Sequence, residues 1–258
     1  MYTLLDPSTF VTFITGATSG FGAAAARRYV AAGGKVIATG RRTERLEELQ
    51  AELGADNCHI ITLDIRDRAA IDAAIAAIPA PFAGINIVLA KAGLALGLQP
   101  AQETDIEDWE TMIATNVTGF VYTVRALLPG MIARGGGHVV TLGSVAGDYP
   151  YPGGSVYGAT KAFVKQFALN LRADVQGKKI RVTNIEPGLT ETEFSVVRFK
   201  GDAGKAAKPY EGTVAMNAED IAESIFWSTT LPAHVNVNRL QLMATTQAFG
   251  PFDIHRDN

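Results

Sequence analysis

Ser144, Tyr157 and Lys161 are the residues of this 258-residue chain whose types and spacing could do chemistry. They stand in the pattern Ser144-(x)12-Tyr157-Gly158-Ala159-Thr160-Lys161. Tyr157 and Lys161 are four apart, so a helix presents both on one face. A free tyrosine hydroxyl has a pKa of ~10, too high for a base near neutrality. An ammonium beside it favours the phenolate, and each tenfold gain in phenolate corresponds to ~1.4 kcal/mol. A pKa brought down to roughly 7 makes Tyr157 a usable acid/base at neutral pH. Tyr-x-x-x-Lys is common on ordinary amphipathic helices. Ser144 and a glycine-rich turn far upstream set this pair apart.

Those side chains need elements that deliver them to one place. Apolar runs at residues 10–15, 35–39, 59–63, 85–90, 138–142 and 180–185 read as strands, with a last one near 236–243. Helical patterns fall between them: one opening at the glycines and rich in alanine at 23–26, then 45–53, 68–78, 107–133, 157–176 and 218–229. Residues 190–215 are polar and rich in Gly and Lys, and read as a mobile loop or lid over the substrate. Continuous apolar strands separated by helices imply an α/β fold, a parallel sheet covered on both faces. Right-handed crossovers make it a doubly wound, Rossmann-type sheet, here one domain over 1–258. Ligands in such sheets bind beyond the carboxyl ends of the strands. The glycine turn, Asp64, Gly93, Ser144 and Pro187 all follow strand ends.

The glycine turn is Thr15-Gly16-Ala17-Thr18-Ser19-Gly20-Phe21-Gly22. Glycine lets the backbone turn tightly and approach a pyrophosphate with no Cβ in the way. The helix that opens there offers free N–H groups and a positive dipole end to phosphates. This stretch, Thr18, Ser19 and Phe21 included, is therefore expected to hold a dinucleotide. NAD enzymes commonly carry a carboxylate at the end of the second strand. This chain has Thr39-Gly40-Arg41-Arg42 there, and two guanidinium groups suit a 2′-phosphate, so NADP is the expected cofactor. Asp64, with Ile65 beside it, is placed to reach the adenine amino group. Alternatively, Asp64 sits near the N-terminal cap of the next helix.

On these residues the chain resembles the short-chain dehydrogenases/reductases over nearly its whole length. The likeness rests on Thr15–Gly22, Asp64, Lys91-Ala92-Gly93, Asn116, Ser144, Tyr157 with Lys161, and Pro187-Gly188. Within that superfamily it is similar to the NADP-dependent 3-hydroxy acid dehydrogenases, also described as serine or L-allo-threonine dehydrogenases. That narrower likeness lies in segments such as Asp108-Trp-Glu-Thr-Met-Ile113, Glu186-Pro-Gly-Leu189 and Val197-Arg-Phe-Lys-Gly-Asp202. The resemblance implies that Tyr157 exchanges the hydroxyl proton and Ser144 holds the substrate oxygen. It implies that Lys161 lowers the Tyr157 pKa and bonds the nicotinamide ribose. Asn116 would hold a water linking Lys161 to solvent, although an Asn bonded only to neighbouring backbone is the plainer reading. Pro187, Gly188, Thr190 and Thr192 should border the nicotinamide. The resemblance also implies a homotetramer built through the helices around 107–133 and 157–176. One departure stands out: the superfamily has Asn-Asn-Ala-Gly after the fourth strand, and this chain has Ala90-Lys91-Ala92-Gly93. Lys91 could contact the cofactor through its backbone, bring its ammonium toward a phosphate, or weaken cofactor affinity.

A 3-hydroxy acid carries a carboxylate, so its pocket needs a cation or several donors. Arg198 is the leading candidate. The alternatives to a 3-hydroxy acid oxidoreductase are a reductase of β-keto esters or neutral ketones, and an NADP-binding regulator without catalysis. Composition excludes other classes. The chain is 47% hydrophobic and 19% charged with net charge −3, so it lacks the basic footprint of a nucleic-acid or anionic-membrane binder. The apolar runs are too short or too polar to span a bilayer. No secretory signal pattern opens the chain, and the single cysteine, Cys58, allows no internal disulfide, so a cytoplasmic location is expected. Cys58, His138, Trp109, Phe163 and Phe167 read as strand or core residues. No cluster has metal-ligand spacing.

Overall fold

Among the described residues, the runs of β-branched and apolar residues form one seven-stranded sheet, all of whose pairings are parallel. Its strands are β1 (Val11–Thr15), β2 (Lys35–Gly40), β3 (Cys58–Thr62), β4 (Ile87–Ala90), β5 (Gly137–Leu142), β6 (Ile180–Pro187) and β7 (Arg239–Leu242). The spatial order is β3-β2-β1-β4-β5-β6-β7. The computed structural model describes residues 3–249; residues 1–2 and 250–258 of the expected domain lie outside the described residues.

Side chains alternate across the sheet with period two, and each face has its own core. Ile14, Ala38, Leu89 and Val140 turn to one face, against Ala24–Ala26 and Tyr29 of α1 (Gly20–Ala31) and Ile221 and Ile225 of α9 (Ala218–Thr230). Phe13, Ile37, Val88 and Val139 turn to the other, against Val124 and Leu127 of α5 (Phe120–Ala133) and Val164 and Ala168 of α6 (Ser155–Asp174). The remaining α-helices among the described residues are α2 (Thr43–Leu53), α3 (Arg68–Ala76), α4 (Ile106–Ile113), α7 (Glu193–Arg198) and α8 (Ala203–Ala207). β1 pairs with β2 on one side and β4 on the other, so the crossovers diverge there and a crevice opens at the strands' carboxyl ends.

Three expectations need correction. The helix expected over 107–133 is interrupted: α4 ends at Ile113, a π-helical turn runs over Ala114–Gly119, and α5 resumes at Phe120. Such widened turns concentrate at functional sites. Gly119 closes this one, where a Cβ would come 2.7 Å from Ile65 Cγ1 and 2.9 Å from the Ile65 carbonyl. The segment 190–215 is not irregular. It holds α7, capped by the Thr192 side chain, and α8, capped by Asp202, then a short turn at Lys208–Tyr210. Finally, Phe163 is 38% exposed and not a core residue, although it stacks on Phe167, which packs edge-on to Phe120. Cys58 and His138 are buried in their strands as expected.

Gly22 carries the first turn of α1 onto the glycine turn. A methyl there would press on the Gly16 carbonyl and come 3.0 Å from Ala17 Cα. Overpacking of this kind costs about 1–3 kcal/mol. The Gly22→Ala variant is expected to melt several degrees lower, at roughly 2–4 °C per kcal/mol for a chain of this size; thermal unfolding monitored by circular dichroism checks it.

Candidate active site

The crevice is a cleft of about 770 Å³ that runs from Arg41 at the end of β2, past the glycine turn, to Tyr157 and Arg198. Thr18, Ser19, Gly20, Phe21, Arg42, Asp64, Ile65, Lys91, Gly93, Ser144, Lys161, Pro187, Gly188, Thr190 and Thr192 line it as expected, with Gly16. Gly22 and Asn116 do not line it. Gly22 packs the helix on the turn, and Asn116 lies behind the wall. The cleft also contains Tyr151, Phe194 and Gln247, which sequence reasoning did not single out. Tyr151 and Gln247 sit in irregular stretches with no periodicity to mark them.

The glycine turn has the geometry a diphosphate needs. Gly16 and Gly20 have φ of +70° and +51°, values that exact a strain from any side chain. Gly20 lies close to Thr192: a Cβ on Gly20 would be in van der Waals contact with Thr192 Cβ, at 3.6 Å. Ser19 is the N-cap of α1, and its side chain makes no capping bond. These features fit a dinucleotide: a cradle without side chains at a helix N-terminus, in a cleft with cations along its length.

The arginine pair divides its labour. Arg42 donates to the Thr18 hydroxyl and carbonyl and forms an ion pair with Glu193 at 3.0 Å, bridging to α7. Arg41 is exposed at the cleft edge and, among the described residues, is bound to no such partner. Asp64 is held by the Arg66 guanidinium at 2.6 Å, and that hydrogen bond lowers its pKa. It does not cap the next helix; Asp67 does, accepting from the Ala70 amide.

At the other end, Tyr157 is buried and Lys161 lies behind it on α6. The Lys161 ammonium donates to the Leu142 carbonyl at 2.7 Å and stands 5.8 Å from the Tyr157 ring centre. The expected depression of the Tyr157 pKa is therefore not what the chain alone produces. Burial pushes the phenol up to about 12, while the Ser144 hydroxyl and the Arg198 charge pull the other way. Burial, with the Lys91 charge, brings Lys161 down to about 8. Both displacements have one cause: a dry pocket disfavours either charged form. Ser144 Oγ accepts from the Ala146 amide at 3.1 Å and donates to the Pro187 carbonyl at 3.3 Å. Asn116 accepts from the Leu94 amide at 2.9 Å and donates to the Leu94 carbonyl and Thr160 hydroxyl at 2.8 and 3.1 Å. One partner is backbone and the other is a side-chain hydroxyl of α6, 44 residues along the chain. These bonds brace the loop after β4 against α6.

Arg198 is brought onto the Tyr157 ring by α7. Its guanidinium carbon is 5.2 Å from the Tyr157 ring centre, 5.5 Å from that of Tyr151 and 5.6 Å from that of Phe194. One nitrogen donates to the Tyr151 hydroxyl, and Nε is buried with no partner among the described residues. A cation with an unused donor beside a tyrosine acid can hold an anionic group next to a reacting oxygen. Among the described residues, no group of three or more metal-ligating side chains is present.

Comparison with known proteins agrees with this geometry. A family model described as short chain dehydrogenase matches residues 10–202. The chain is 56% identical over 247 residues to the NADP-dependent 3-hydroxy acid dehydrogenase YdfG of Escherichia coli K12, covering 95% of this chain and 99% of that one. It is also 56% identical over 247 residues to a sulfoacetaldehyde reductase of Chromohalobacter salexigens, covering 95% and 98%. Among solved structures, the closed form of serine dehydrogenase complexed with NADP+ superposes with a TM-score of 0.94 at 56% identity, over 95% and 99% of the two chains.

Arg41 is the unengaged member of the arginine pair. Loss of its charge in Arg41→Ala is expected to raise the NADP KM roughly tenfold or more, the worth of a charge-assisted hydrogen bond, with little effect on NAD. Initial rates with each dinucleotide check this.

Proposed function

The chain belongs to the short-chain dehydrogenase family, and we propose that it is an NADP-dependent oxidoreductase that reversibly converts small 3-hydroxy acids to 3-oxo acids. Its substrates would be of the L-allo-threonine, serine and 3-hydroxypropionate type. The observation that carries the reading is Arg198, with an unpartnered Nε, held over the ring of Tyr157. It gives a substrate anion a cation next to the acid that acts on its hydroxyl. A reductase of neutral ketones has no use for that charge, and a regulator without catalysis has no use for Tyr157 and Ser144 in the same dry pocket.

NADP, when bound, supplies the hydride chemistry that no side chain provides. The chain's own residues bind, orient and move a proton. Arg198 fixes the carboxylate and so the direction of the substrate. Ser144 Oγ offers a hydrogen bond to the reacting oxygen and steadies charge that develops on it. Tyr157 Oη gives that oxygen a proton in reduction and takes it back in oxidation. With its pKa raised, Tyr157 is a neutral phenol at pH 7 and is set up as a proton donor. Phe194 and Tyr151 shield this exchange from water. The fold is one catalytic domain, with α7 and the turn at Pro209–Tyr210 forming its substrate wall. A homotetramer built through α4, α5 and α6 is part of the proposal, and Ile113, Phe163 and Leu169 stay exposed on this side of the chain. Light scattering of the purified protein tests it. No helix among the described residues is long and apolar enough to cross a membrane, and the proposed location is the cytoplasm.

A second reading has its own support. The sulfoacetaldehyde reductase is as similar to this chain as the E. coli dehydrogenase, each at 56% identity. A guanidinium holds a sulfonate as readily as a carboxylate.

Three outcomes test these readings. Initial rates should favour 3-hydroxy acids over their esters with NADP; equal rates on acid and ester would favour the neutral-ketone reading, and a preference for 2-hydroxyethanesulfonate would favour the sulfonate one. The Arg198→Ala variant should raise KM for hydroxy acids about 10- to 100-fold, the worth of a hydrogen bond to a charged group, and leave neutral alcohols nearly unaffected. At saturating cofactor the oxidation rate should climb with pH from 7 to 10, because Tyr157 must lose its proton first, whereas reduction should stay level over that range; pH profiles of kcat/KM for the substrate in both directions check the sign.

A further inference from the structure

Lys91 occupies a place where the bare protein gains little from a cation. Its ammonium donates to the carbonyls of Gly16 and Ser19, both at 3.2 Å. Those two carbonyls bracket the glycine turn, and Ser19 is the N-cap of the twelve-residue helix α1. A helix N-terminus is the positive end of its dipole, so a cation there is unfavourable unless an anion sits beside it. The neighbours compound the problem. Arg42 at the start of α2 and Lys161 of α6 are positive, and Glu193 of α7 opposes them. Among the described residues, α1 and β1 present no charged side chain to it. The backbone of the same segment is tied separately: the Lys91 and Ala92 amides both donate to Thr15 Oγ1 at 3.0 Å. The strand end is thus held without the ammonium, which leaves the charge itself to be explained.

We propose that Lys91 is a cofactor-positioning residue: its ammonium fastens the glycine turn from below and supplies the positive charge that a bound dinucleotide diphosphate meets there. This deepens the NADP reading and rests on it. The diphosphate is the anion that the ammonium and the dipole of α1 both lack in the bare chain. The placement also joins the two ends of the site, because the Lys91 charge acts on Lys161, four residues from Tyr157. Burial and the Arg42 charge bring the ammonium down to about 8, with Glu193 opposing. The sign follows: the protonated form favours an anionic ligand, so affinity is full below pH 8 and is lost as pH rises through that value.

The test measures the NADPH Kd by fluorescence from about pH 7.0 to 9.5, together with the melting temperature of the cofactor-free protein. It compares wild type with Lys91→Met, which keeps the length and removes the charge, and Lys91→Asn. Wild type should bind about tenfold more weakly at the upper end of that range than at the lower. Lys91→Met should bind about tenfold more weakly than wild type at neutral pH, with a flattened pH profile, and should melt no lower. Lys91→Asn should show the same flattening. A Kd and pH profile in Lys91→Met equal to wild type would overturn the proposal. So would a lower melting temperature with the pH profile retained, which would make Lys91 a strap for the turn and nothing more. Wild type that binds no NADPH at any pH would instead remove the dinucleotide reading itself, and this proposal with it.

Discussion

The pairing of β1 with both β2 and β4 is the constraint from which the site follows. Parallel strands must be joined by crossovers, and those crossovers are right-handed. Crossovers that leave β1 in opposite directions cannot cover its carboxyl end, so that end stays open as a crevice. The turn after β1 must then descend into α1 without side chains in the way, which accounts for Gly16 and Gly20 at positive φ. Everything at the carboxyl edge shares this origin. Asp64, Lys91, Ser144 and Pro187 reach the cleft because each ends or follows a strand of the same sheet.

Charge is distributed in the cleft as an anionic ligand requires. Arg41, Arg42, Lys91, Lys161 and Arg198 line it, against Asp64 and Glu193. Both carboxylates are already held by arginines, Asp64 by Arg66 and Glu193 by Arg42. The lysines are satisfied by backbone carbonyls instead of counter-ions. A carbonyl lends partial negative charge, so the ammonium groups keep most of their field. Buried cations without counter-ions are costly in a resting protein. A phosphorylated dinucleotide and a small acid would remove that cost.

Behind Ser144 lies a second layer of charged side chains that does not line the cleft. Glu186, 1% exposed at the end of β6, receives a paired hydrogen bond from Arg239 and another from Asn184. Arg239 also meets Asp148, which Lys165 of α6 engages from the other side. This chain of charges ties β6, β7, the turn after β5 and α6 together where Ser144 and Pro187 emerge. Removing Arg239 would leave the buried Glu186 carboxylate without its counter-charge. The network therefore holds the wall on which the Ser144 hydroxyl and the Pro187 carbonyl are spaced.

Much of this was legible in the chain. The strands read from apolar runs because a parallel sheet is buried on both faces, and the glycine turn, Ser144, Tyr157 and Lys161 read from spacing because local geometry carries it. What escaped depended on contacts distant in sequence. The helical period of 107–133 does not break at Asn116, so the π turn, where Gly119 meets Ile65, was invisible. Helices as short as α7 and α8 are marginal alone and exist through packing, although their caps Thr192 and Asp202 were there to be seen. Phe163 has the spacing of a core residue, yet its face of α6 is left uncovered. The split between Arg41 and Arg42 depended on Glu193, 151 residues away from Arg42. The pKa of Tyr157 depended on burial, which no spacing reports, and burial reversed the direction expected from Lys161. By itself the sequence determined which chemistry was present and at which sheet edge. Tertiary structure alone decided which charges meet and how dry they are, because the energy of a charge is set by its surroundings in space and not along the chain.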